Sequence, residues 1–369
     1  MSEQLVRSIY ALKSVWAVLL ALLCGAVLIL IAGFDPITAY RELFGSAFLD
    51  YWGFAATMAK LSPLLLAGLA VVLPLRVGLF NIGAEGQIYL GALFATLTAL
   101  YGPPLPGTLG ILLCVVAGML GGALWAAVPA ILKAYRDLNE VIVTLLMNYV
   151  AINLVSYAVS GPLMAPGAPY PYSEEISDSL HLPIFMEHTD AHIGALIAVV
   201  FAVGVFLVLR YTTYGYALGT VGSNPHAARY AGISVRRQIM IAMLVGGSLA
   251  GLAGTFEVLG LKHRLFHLFS DGYGYDGIVI AFLASGHPLG AVVSSTFLAG
   301  LESGANMMQR ATGVPVTVVD AIKGLVVIFV AAGLAFTFQR SYWARVLQRR
   351  RDMSAEIRAV EAGGPGDVR

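Results

Sequence analysis

Charge is scarce in this sequence. Asp, Glu, Lys and Arg make up 12% of its 369 residues, against about a quarter in ordinary soluble domains. So little charge cannot solvate the surface of a globule this size, and a water-soluble fold is excluded. Cysteine is nearly absent as well. Cys24 and Cys114 both fall within apolar runs, which suits small core or lipid-facing residues and not a disulfide framework. The apolar runs are continuous and do not alternate, so membrane helices are expected in place of an outer-membrane barrel. No Gly-x4-Gly-Lys-[Ser/Thr] pattern occurs, so this chain is not expected to bind ATP through a P-loop. No catalytic constellation stands out either, and no enzyme activity is expected.

What is present is hydrocarbon, at 58% of residues. Hydropathy predicts ten spans, at about 15–32, 54–75, 82–101, 108–132, 139–160, 192–210, 239–259, two within 276–306, and 314–336. Residues 285–290 divide the pair within 276–306. Arg7 and Lys13 precede the first span, and no small-x-small cleavage site follows it, so it reads as an uncleaved helix. The chain is thus read as a single all-α, polytopic membrane domain. Its aqueous parts are an N-terminal segment (1–14), a polar stretch near 35–51, an acidic segment (161–191), a basic loop (211–238) and an arginine-rich tail (337–369).

Most of the 22 lysines and arginines, including the seven from Arg340 onward, fall on the side that holds both termini. Only Arg41, Lys60, Lys262, Arg264 and Arg310 are assigned to the other side, and Lys323 lies inside the last span. The positive-inside rule makes both termini cytoplasmic and places residues 161–191, which lack Lys and Arg, outside. Nine spans would put the basic tail outside. Eight full spans with a re-entrant pair at 276–306 would keep the asymmetry.

Polar residues inside such a chain are costly and therefore informative. The densest stretch is Gly78-Leu-Phe-Asn-Ile-Gly-Ala-Glu-Gly-Gln87, which offers Asn81, Glu85 and Gln87. A displacement of 191 residues lays Gly83, Glu85 and Gly86 over Gly274, Asp276 and Gly277. This shared Gly-x-acid-Gly heads two corresponding spans, and five spans separate the copies, so the repeat (second to fifth span against seventh to tenth) is expected to be inverted. Inverted repeats with glycine-interrupted spans mark transport paths. The copies are therefore expected at opposite faces, as two gates flanking a path. The plainer reading of the first copy is a tight turn, with Asn81 capping the next helix and Glu85 in its first turn.

Glu140, Thr144 and Asn148, four residues apart, form one stripe on the fifth span, and Asn139 stands at its start. The stripe is either interhelical glue or the wall of a solute path. Asp320 and Lys323 can pair on one helix face. Glu257, near the outer end of its span, can reach the interface. His188 and His192, and His263 and His267, are four apart, but solvated loop histidines are the plainer reading and no metal site is expected.

In the basic loop, Ser223 or Asn224 before Pro225 forms an N-cap with proline in the first turn, and Gly232 is a stop. A two-turn helix is predicted at 225–231. The loop is longer than a simple reversal needs, which points to a docking element.

The loop's Ala227-Ala228-x-x-x-Gly232 spacing resembles the coupling helix of permease subunits of ATP-binding-cassette importers, with His226 where an acid is usual. Residues 78–87, 138–148 and 219–232 look closer to the nucleoside-type permeases of the branch that serves ribose, other simple sugars, branched-chain amino acids and nucleosides. Those permeases work with basic-membrane-protein-type binding lipoproteins. The resemblance covers about residues 55–335. It implies cytoplasmic ATPase subunits, which carry ATP and Mg, gripping Gly222, Asn224, Pro225, His226, Ala227, Ala228, Arg229 and Gly232. It also implies a second permease subunit, homologous or identical, an external binding lipoprotein or periplasmic protein, and a bacterial inner membrane. The solute implied is a nucleoside, with ribose-like sugars second. This chain itself would hold no cofactor. The alternative is a secondary transporter coupled to an ion gradient through Glu85, Asp276 or the Asp320–Lys323 pair.

Overall fold

The computed structural model describes residues 3–330 and 332. In chain order the helices are α1 (Glu3–Ile31), α2 (Pro36–Leu49), α3 (Tyr51–Leu75), α4 (Ala84–Tyr101), α5 (Gly107–Arg136), α6 (Glu140–Ser160), α7 (Gly194–Tyr211), α8 (Thr213–Ser223), α9 (Pro225–Tyr230), α10 (Val235–Glu257), α11 (Tyr273–Leu283) and α12 (Pro288–Thr312). A further helix, α13, covers 317–330. A π-helical turn, Val258–Lys262, extends α10. Among the described residues only isolated β-bridges occur, in the segments that pack residues 161–192 against the loop after α10. The chain is a polytopic helical membrane protein. Among the described residues, five helices (α3, α5, α6, α7 and α10 with its π turn) are long and apolar enough to cross a bilayer.

Three boundaries differ from the sequence reading. The stretch near 35–51 is helical. The Asp35 carboxylate accepts hydrogen bonds from Ile37 N and Thr38 N at 3.2 and 3.0 Å, and Pro36 opens the first turn. Its apolar side, Ala39, Leu43 and Ala47, is fully buried against α3 and α12. Intervening polar residues hid this periodicity. Second, α1 starts at Glu3, so the first fourteen residues are not a tail ahead of the helix. Third, residues 276–306 divide where the sequence places the break, but into unequal helices. α11 has 11 residues, a length of about 16 Å, and falls short of a hydrocarbon core of about 30 Å. α12 has 25 residues, enough to cross. Ser285 (φ 52°) and Gly286 (φ 67°) make the break. The arginine-rich tail lies outside the described residues.

The packing shows the internal repeat. The 191-residue displacement matches α3 with α10, α4 with α11 and α5 with α12. In space α3 packs on α10 and α4 on α11, while α10 contacts α4 and α5 as α3 contacts α11 and α12. The two halves are interlocked. Without a hydrophobic drive between helices in lipid, such contacts need small residues. Gly247 and Gly251 of α10 lie against Gly122 of α5, so near that an added Cβ on Gly122 would stand 2.2 Å from the Gly247 carbonyl oxygen.

Candidate solute path and coupling surface

Residues 76–83 carry the chain from α3 to α4, and the Asn81 side chain in this turn is fully paired. Asn81 is fully buried. Its Oδ1 accepts from Gly83 N at 3.1 Å and from Gln87 Nε2 at 3.2 Å. Its Nδ2 donates to Gln87 Oε1 at 3.1 Å and to the Ala70 carbonyl at 3.4 Å. The two amides form a closed pair that ties the turn to both helices. Leaving either unpaired here would cost about 1–3 kcal/mol.

The stripe on α6 divides in two. At its start Asn139 caps the helix, accepting from Val141 N at 2.9 Å, and Glu140 meets Lys133 of α5 at 3.2 Å. Further along, Asn148 is buried and grips the turn: its Oδ1 accepts from Gly86 N and its Nδ2 donates to the Ile82 carbonyl, both at 2.9 Å. Thr144 is buried too, bonding back to the Glu140 carbonyl at 2.7 Å and facing Gly83. Of the two expectations for this stripe, the geometry gives interhelical glue.

Glu85 is 2% exposed. Its Oε2 accepts from Gly274 N at 2.7 Å. A carboxylate buried at this depth needs donors, and the first turn of α11 supplies an unsatisfied N–H and the positive end of a helix dipole. The approach is so close that an added Cβ on Gly274 would lie 2.2 Å from Glu85 N. The two Gly-x-acid-Gly copies therefore touch. The expectation that they guard opposite faces is corrected: each turn completes the other.

Asp276 answers to a different partner. Lys323 Nζ lies 3.3 Å from Asp276 Oδ2, 3.1 Å from Glu302 Oε1 and 3.4 Å from Asp320 Oδ1. Lys60 Nζ reaches Glu302 Oε2 at 3.1 Å. This cluster binds α3, α11, α12 and α13. The expected Asp320–Lys323 pair exists, but Asp320 is its outermost member, with its side chain 60% exposed. Lys60, counted from the sequence among aqueous cations, is inside α3. Glu257 is likewise buried, with the Tyr273 hydroxyl at 3.4 Å and Lys262 at 3.7 Å. No group of three or more residues fit to hold a metal ion occurs among the described residues.

At one end of the bundle stand α8 and α9. Asn224 caps α9, its Oδ1 accepting from His226 N at 3.0 Å and Ala227 N at 3.1 Å. Pro225 occupies the first turn, and Gly232 (φ 76°) ends it. The helix was expected and its cap is Asn224; α8 before it was not foreseen. Ala228 is the one fully buried residue of α9, seated among Val77, Leu79, Ala130 and Met243. Pro225, His226, Ala227, Arg229 and Tyr230 are exposed. Gly222 of α8 lies against the turn after α3, where an added Cβ would be 2.1 Å from the Arg76 carbonyl oxygen.

Residues 53–331 match the family model described as the permease component of a branched-chain amino acid transport system. The chain belongs to this permease family. It is similar to the guanosine ABC transporter permease protein NupP of Bacillus subtilis, with 36% identity over 87% of this chain and 93% of that one. It is 31% identical to the nucleoside ABC transporter permease protein NupB of Lactococcus lactis, over 85% and 89% of the two chains. The glucose ABC transporter permease protein TsgB13 of Haloferax volcanii is 37% identical over 85% of each.

In the permease, Asn81, Glu85, Gln87, Thr144 and Asn148 come together around one turn. Asp276 joins them through α11, and Asn139 and Glu140 do not. Three members of the polar core were not singled out beforehand: Lys60, Glu302 and Tyr275. The signal for Lys60 and Glu302 was there, one lone charge of each sign within an apolar run, too costly to bury unless paired.

Proposed function

We propose that the permease is one of two membrane-spanning subunits of an ATP-binding-cassette importer that takes up a nucleoside. Cytoplasmic ATPase subunits, which hold the ATP and Mg, grip the exposed side of α9. An external binding protein delivers the solute, and both termini lie in the cytoplasm of a bacterial cell.

One observation carries the mechanism: an unbroken line of backbone contacts. It runs from Gly222 beside α9, through Arg76 and the 78–87 turn, to Gly274 at the head of α11. Movement of α8 and α9 by the ATPases presses on the turn, and the turn cannot shift without α11. Asn81, Gln87 and Asn148 make the turn stiff enough to transmit this displacement. Two of the relatives are named for nucleosides and one for glucose. All of these are uncharged, hydroxyl-bearing rings.

The test is isolation of the permease from its native membrane in mild detergent, then reconstitution. ATPase subunits should co-purify, and labelled guanosine should enter proteoliposomes only with ATP and the binding protein present. Uptake by the permease alone under a proton or sodium gradient would overturn the reading in favour of a secondary transporter.

A further inference from the structure

Most exposed faces of this permease are what hydrocarbon demands. On α5 they present Leu109, Leu112, Val116, Leu120 and Leu124, and on α7 Leu196, Val200, Val203 and Leu207. α6 departs from this halfway along. Its first turns expose Ile142, Leu145 and Leu146, and then the same face carries Tyr149, 60% exposed, and Asn153. These lie about 13 and 20 Å from the helix start, at mid-depth, which is beyond the belt where interfacial aromatics are usual. The Asn153 amide bonds only its own helix, Nδ2 donating to the Tyr149 carbonyl at 2.7 Å. Its Oδ1 has no partner among the described residues. An exposed amide facing lipid tails costs several kcal/mol.

The neighbouring segment is polar too. Tyr275, in the first turn of the half-length α11, is 41% exposed, and its hydroxyl accepts from Asn148 Nδ2 at 3.4 Å. His267 is exposed, with Nδ1 2.8 Å from Ser156 Oγ on α6. Asp271 is exposed between them. Discontinuous helices that start at mid-depth are where transporters hold their solutes.

We infer that Tyr149, Asn153 and Tyr275, with Ser156 and His267 beside them, form a water-facing wall that holds the nucleoside between this permease and its partner subunit. The inference rests on the importer reading above and names the surface that the solute meets. Two phenol rings give flat faces for a base, and stacking of this kind tolerates different bases. The Asn153 amide presents a donor and an acceptor side by side, the pair needed to read a base edge. The hydroxyls and imidazole suit a ribose. No lysine or arginine is on the wall, and Asp271 repels anions, so nucleotides are excluded.

Two measurements on the complete importer test this. In a background with Cys24 and Cys114 replaced, Asn153→Cys should react with a membrane-impermeant thiol reagent, and guanosine should slow the reaction. Val200→Cys on the apolar face should stay unlabelled. Asn153→Leu should raise the KM for guanosine uptake at least five-fold, and Tyr149→Leu with Tyr275→Leu should erase any preference for guanosine over ribose. An unlabelled Asn153→Cys, or labelling with KM and preference unchanged in the Leu variants, overturns the wall. Failure of the importer reading looks different. There the wild-type permease takes up no guanosine with ATP and binding protein, whatever the labelling pattern.

Discussion

The two Gly-x-acid-Gly turns share a sequence pattern and are anchored in opposite ways. Glu85 is held by a hydrogen bond from a backbone N–H of the other turn, at 2.7 Å. Asp276 is held by charge, as one of three carboxylates around Lys323. The first acid is in effect an acceptor for a helix start. The second belongs to an ion cluster that also needs Lys60 and Glu302. The two copies of the repeat share the bend and not the partner. The bend is set by local glycines. The partner depends on which helix the other half of the chain brings alongside.

The contrast can be broken most forcefully at the ionic end. Lys323→Met leaves Glu302 and Asp276 without their shared cation and should cost about 3–5 kcal/mol, read as a lowered melting temperature in detergent. Adding Asp276→Asn should recover part of that loss, because one of the stranded charges is gone. No recovery would mean that Asp276 is not anchored by Lys323.

Next in size is the contact between the turns. Gly274→Ala places a methyl where Glu85 N already stands and should cost about 1–3 kcal/mol through overpacking, together with most transport. Asn148→Ala leaves Gly86 N–H and the Ile82 carbonyl unpaired and should cost about 1–2 kcal/mol. Because it frees the turn from α6, uptake should fall even where the folded protein survives.

Glu85→Gln sharpens the comparison. Gln keeps an oxygen acceptor for Gly274 N–H, so stability should change by less than about 1 kcal/mol. Asp276→Asn should be worse than Glu85→Gln. The reverse order, measured in one thermal series, would show that the charge of Glu85 matters and that its acceptor role is secondary.

The smallest effect lies outside both turns. His263 stacks on His181 with ring centroids 3.7 Å apart, and burial, then the charge of His181, lowers its pKa. The folded state binds fewer protons than the unfolded state once pH drops below the usual histidine value of about 6.5. Stability is therefore full above that pH and declines as pH falls. His263→Gln should flatten this slope, a difference of about 1–2 °C between pH 7 and pH 5.5.

Some of this was legible in the residues alone. Long apolar runs marked the membrane helices, because hydrocarbon leaves no other way to satisfy a backbone. The cap, proline and glycine of α9 fixed that helix locally, without help from the rest of the fold. The pairing of Lys60 with Glu302 was not legible, because 242 residues separate them and nothing local points from one to the other. The break after α11 was legible in Ser285-Gly-His-Pro-Leu-Gly290, but that α11 starts beside Glu85 was not, because that contact joins residues 189 apart.

The amino-acid sequence by itself determined that the chain crosses a membrane, where α9 begins and ends, and that two distant stretches repeat. Those properties depend on hydrophobicity and backbone preference over a few residues. Only the tertiary structure decided that the two repeats meet head to head, that Asn148 is glue and that Asn153, five residues further along α6, lies exposed. A helix shows every residue to some side, and which side is core, lipid or solute is set by the helices packed around it.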